Sequence, residues 1–157
     1  MRAIFDDIIR TLDTLETLDA AGQADLLQMR ALETGGTFKT PRPGNAWDSQ
    51  RYEMNLHGVF AEGGDLRELV RNWTKAAHHA ASVGARRQAE LAEAETVITF
   101  PGGADTEALQ QACAKVLELE NLAHPRLADR ARALQTALAR ADRDTARDAQ
   151  AMTPTPL

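Results

Sequence analysis

The chain contains a single cysteine, Cys113, in 157 residues. A lone thiol cannot close an internal disulfide, and one thiol does not make a metal site. Aromatic residues account for only 4%, so the core has to rest on Leu, Ile, Val and Ala, a set that suits helices better than sheets. No apolar run approaches the ~20 residues needed to span a bilayer. The opening Met1-Arg2-Ala3-Ile4-Phe5-Asp6-Asp7 turns acidic too soon for the apolar stretch of a signal peptide. These absences point to a cytoplasmic protein that stays off the membrane.

Signatures of chemistry are missing as well. The sequence holds no Gly-x-Ser-x-Gly elbow, no phosphate-binding Walker loop and no dinucleotide fingerprint. No His-x-x-x-His or Glu-x-x-His spacing occurs. His78 and His79 are adjacent and point about 100° apart on a helix, while His57 and His124 each stand alone. No catalytic residue, metal or cofactor is expected, and an enzyme ranks third among the readings of function.

What is present is an ordinary globular balance, 43% hydrophobic and 26% charged, with a net charge of −5. Arg outnumbers Lys 15 to 3, the usage of a GC-rich bacterial gene. The charge is unevenly spread. Residues 1–33 hold seven acids and three bases, and residues 90–123 hold seven acids and one base. Residues 34–89 reverse the sign, with eight bases and five acids. Such asymmetry predicts a docking surface.

Ile4, Phe5, Ile8, Ile9, Leu12, Leu15 and Leu18 recur at helical spacing, and Leu26, Leu27, Met29 and Leu32 continue beyond Gly22. Two helices, or one bent at Gly22, are predicted over residues 3–33. The Gly- and Pro-rich residues 35–47 read as a loop. Residues 50–62 fit two patterns: Tyr52, Met54 and Leu56 alternate with polar residues as in a strand, while Tyr52, Leu56, Val59, Phe60 and Gly63 also fit a helix. Thr96-Val97-Ile98-Thr99-Phe100 reads as a strand in need of a partner, which favours the strand, with a bulge at Gly58. Between them Asp65 and Glu68 have capping-box spacing ahead of the stripe Leu66, Leu69, Val70, Trp73, Ala76, Ala77 and Ala80, with a turn-back at Gly84. Two further helices follow, over residues 105–123 and from Pro125 onward. The expected fold is mainly α with a small two-stranded β element, order α-α-β-α-β-α-α. It forms one helical domain over 1–151 and a disordered tail over 152–157.

Two surfaces stand out. Arg67, Arg71, Lys75 and His79 are spaced by four on one helix face, and no acid occurs from residue 69 to 89. Lys39 and Arg42, beside Trp47, extend this candidate partner-binding surface. It docks either on acidic helices of the same or a twin chain or on nucleic acid; the net charge of −5 favours protein. The second surface is the seam Leu127, Ala131, Leu134, Leu138 and Ala141, which suits a helical hairpin or coiling against a second chain. The function expected from these features is that of a non-catalytic bacterial adaptor or regulatory protein. It works through helix-face protein contacts and self-associates, with a nucleic-acid-associated regulator as the alternative.

Overall fold

A computed structural model describes residues 2–41 and 50–151. Among them are α1 (Arg2–Leu15), α2 (Ala20–Glu33), β1 (Thr37–Lys39), β2 (Tyr52–Leu56), β3 (Val59–Gly63), α3 (Leu66–Thr99), α4 (Thr106–Glu118) and α5 (Pro125–Ala151), with a 3-10 turn at Pro101–Gly103. The fold is mainly α with a small sheet, as the sequence predicts, but the sheet has three strands rather than two. The expected tail at 152–157 lies outside the described residues, as do residues 42–47 of the expected loop at 35–47. That loop's start is β1, which pairs antiparallel with β2.

The strand expected at residues 96–100 is a correction. Residues 96–99 are the last turn of α3, and the β-branched run is helical. Ala94 and Ile98, one turn apart, are buried against Ala112, Cys113 and Val116 of α4. A short apolar run fits a strand or a buried helix equally by composition, and here packing at a spacing of four decides. The true partner of β2 is β3, in register from Tyr52↔Gly63 to Leu56↔Val59. The expected bulge at Gly58 is instead a two-residue turn. His57 and Gly58 have φ of 54° and 75°, the positive values a type I′ hairpin turn requires at both positions.

Gly22 neither ends nor bends a helix. The break comes earlier, at Asp19, whose side chain accepts from Gly22 N and caps α2. Nor does Gly84 turn the chain back, since α3 runs through it for 34 residues. The predicted start of α3 is found. Asp65 Oδ1 accepts from Glu68 N at 2.7 Å and Glu68 Oε2 accepts from Gly64 N at 2.7 Å, the reciprocal pattern of a capping box reaching one residue further back.

Contacts group the chain into two compact units, Met1–Ala85 and Arg86–Leu157, with the boundary inside α3. In the first, Ile8, Leu12 and Leu15 of α1, Leu27 and Ala31 of α2, and Met54, Leu56, Val59 and Ala61 of the sheet surround Leu69, Val70, Trp73 and Ala77 of α3. In the second, Ala94 and Ile98 join α4 and the start of α5 around Cys113 and Val116. Full burial of each large aliphatic side chain contributes about 1.5–3 kcal/mol. Among the described residues no helix is long and apolar enough to cross a membrane.

Candidate functional site

The core of the first unit sets where the basic row points. Leu69, Val70, Trp73 and Ala77 are drawn inward, so the opposite side of α3 faces solvent, and Arg67, Arg71, Lys75 and His79 are all exposed. Steps of four residues advance a helix by about 400°, so the row drifts about 40° at each step. By His79 the drift is about 120°, whereas His78 stands about 20° from Arg67. It is accordingly His78, not His79, that joins Arg67, Arg71 and Lys75 along a groove of about 390 Å³.

The base of this groove is apolar and buried: Leu12 and Leu15 from α1, Val70 from α3. Thr74 lines it on the α3 side. Across from the cations, Glu16, Ala20 and Gln23 supply the other wall from the α1–α2 connection. That wall is held in place by Gln23, whose Nε2 donates to Leu15 O at 3.0 Å and Leu18 O at 3.2 Å, and by the Asp19 cap.

Charges in the groove are poorly matched within the chain. Arg71 Nη2 lies 3.8 Å from Glu68 Oε1. Among the described residues no ion pair involves Arg67, Lys75 or Glu16. A well-exposed pair such as Arg71–Glu68 contributes little. The result is an apolar trough with three cations and a histidine on one bank and a carboxylate on the other.

The remaining predicted site residues lie elsewhere. Lys39 is on β1, its Nζ 3.3 Å from Glu53 Oε2 on the neighbouring strand, and it does not line the groove. Arg42 and Trp47 lie outside the described residues. Of the α5 seam, Leu127 and Ala131 are buried in the second unit's core and Leu134 packs against it. Leu138 is half-buried and Ala141 exposed. The first half of the seam is thus used in the hairpin with α4, and only Leu138 and Ala141 remain toward the outside.

Sequence reasoning missed Leu12, Leu15, Glu16, Ala20 and Gln23 as site residues, and also Thr74 and His78. The angular drift could have found His78. Nothing in the sequence places the α1–α2 connection beside α3, which is a matter of tertiary packing.

Among the described residues, Cys113 and His57 lie outside the groove. Cys113 is fully buried, and burial pushes its thiol above the ordinary range, away from the nucleophilic thiolate. His57 lies in a cavity of about 360 Å³ with Ile4, Asp7, Asn55 and the Gly35-Gly36 backbone. Its Nε2 is 3.4 Å from Thr11 Oγ1. Since Thr11 donates its own proton to Asp7 O at 2.8 Å, Nε2 is the donor to Thr11. Among the described residues no group of His, Cys, Asp and Glu side chains could hold a metal ion. Neither a protein-family model, nor a curated protein, nor a solved structure matches the chain.

Proposed function

We propose that this protein is a non-catalytic adaptor or regulator whose working surface is the groove between the α1–α2 connection and the first half of α3. The observation that carries the reading is the groove's composition: a base of Leu12, Leu15 and Val70 beside Arg67 and Lys75, cations with no ion-pair partner among the described residues. An apolar centre bordered by charge is the usual anatomy of a protein contact. The net charge of −5 opposes long-range attraction of a polyanion, which sets nucleic acid second despite the unpaired cations. Self-association through α5 has less behind it, because Leu127 and Ala131 are already occupied by α4 and a second chain would meet Leu138 and Ala141.

A photo-crosslinking residue introduced at Thr74, which lines the groove, separates these readings in cells. The protein reading expects adducts that protease destroys and nuclease spares, lost on Arg71→Glu with Lys75→Glu. Adducts that nuclease removes would reverse the ranking.

A further inference from the structure

We infer that the groove takes one occupant class, an amphipathic helix from another protein that bears an acidic edge. This rests on the docking reading above and adds the partner's chemistry and orientation. Three features of the groove lead to it.

First, one bank is the opening turns of α3 and the other is the α1–α2 connection with the first turn of α2; among the described residues no strand lines the groove, so it offers no free strand edge. An occupant that enters it must satisfy its own backbone, which a helix does and an extended segment does not. Second, the base is apolar, and Leu12, Leu15 and Val70 call for apolar side chains at three- and four-residue spacing on the occupant. Third, the two banks differ in sign. From Arg67 to Lys75 α3 advances eight residue steps, a rise of about 12 Å or two turns. Carboxylates spaced by four on the occupant match that length. Glu16 on the opposite bank repels acids there, so the acidic edge must lie toward α3 and the other edge must be neutral or basic. The groove therefore fixes the rotation of its partner as well as its charge.

A second copy of this chain is a poor source of such a helix. The acids of α1, Asp6, Asp7 and Asp13, flank a stripe whose Ile8, Leu12 and Leu15 are already buried. Nucleic acid would bring phosphate toward Glu16 and leave the apolar base unmatched.

The test uses three labelled helical peptides of about 18 residues, about five turns, with the same leucine stripe and with Glu, Gln or Lys along one edge. Anisotropy on the full chain near physiological salt gives affinities, and amide shifts at Thr74, His78 and Gln23 locate binding. The Glu peptide is expected to bind roughly tenfold more tightly than the Gln peptide, the yield of a few solvent-facing ion pairs acting together, and the Lys peptide more weakly than either. Arg71→Glu with Lys75→Glu should invert the order of Glu and Lys. Equal affinity of the Glu and Gln peptides, with shifts still in the groove, would overturn the acidic edge and leave the docking reading standing. Absence of binding by any of the peptides at ~1 mM would also overturn the inference. So would a rise in solution mass without peptide that the double reversal abolishes, since the occupant would then be a second copy. An oligo(dT) that binds more tightly than the Glu peptide, with the same amides shifted, would overturn both readings.

Discussion

The ring of Phe5 on α1 lies so close to α3 at Gly84 that a β-carbon there would fall 2.5 Å from its Cδ1 and Cε1. Glycine sits mid-helix for that reason, and α3 does not turn there. The contact ties α1, which supplies Leu12 and Leu15 to the base of the groove, to the helix that forms its cationic bank.

Gly84→Ala therefore sets two effects against each other. Alanine gains about 1 kcal/mol of helix propensity, while overpacking against Phe5 costs about 1–3 kcal/mol. Urea unfolding is expected to show a net loss of stability. In a Phe5→Ala background the same change should become stabilising, and the double-mutant cycle reads the coupling directly. A stabilising Gly84→Ala in the wild-type background would disprove the contact.

Trp73 is fully buried, and among the described residues its Nε1 has no hydrogen-bond partner. An unmade bond at a buried donor costs about 1–3 kcal/mol. Trp73→Phe removes that donor while keeping most of the apolar contact. It should therefore cost far less than Trp73→Ala, for which about 3–5 kcal/mol is expected. Equal losses in chemical denaturation would mean that Nε1 is bonded after all.

Burial holds the His57 imidazole below its ordinary range; Asp7 pulls it up against that effect and Arg30 adds to the lowering. The unfolded chain protonates near the ordinary 6.5 of a histidine, the folded one only at lower pH. Between the two the unfolded state carries more protons, so stability falls as pH drops through about 6.5 and levels off once the folded ring is also charged. His57→Asn, a residue that tolerates the positive φ of this turn, should flatten melting temperature across that window. An unchanged slope would assign the pH response to another group.

Much of the fold is legible because its signals are local. Asp65 and Glu68 announce the start of α3, and the stripe Leu69, Val70, Trp73 and Ala77 is the buried one. Pro125 opens α5. What is illegible depends on neighbours far along the chain. Val97 and Ile98 carry strand propensity, but Cys113 and Val116 of α4 receive Ile98 as part of a helix. Gly84 resembles a breaker until Phe5 is set beside it. The basic row could be read from its spacing alone, yet its facing bank of Glu16, Ala20 and Gln23 comes from packing that no pattern in those residues reveals.

The central claim is that this row serves a partner and does not hold the chain together. The sequence favours an internal or oligomeric use, since acidic segments flank the row on both sides. In the structure the ion pairing of Arg67, Arg71 and Lys75, among the described residues, consists of the exposed contact between Arg71 and Glu68. The most direct test is the unfolding free energy of Arg71→Glu with Lys75→Glu against the wild type, measured at low and at physiological salt. A change within about 0.5 kcal/mol is predicted, the range of exposed substitutions away from any special feature. A loss above about 2 kcal/mol, restored by reversing an acid such as Glu16, would show that the row binds its own chain, and would contradict the account.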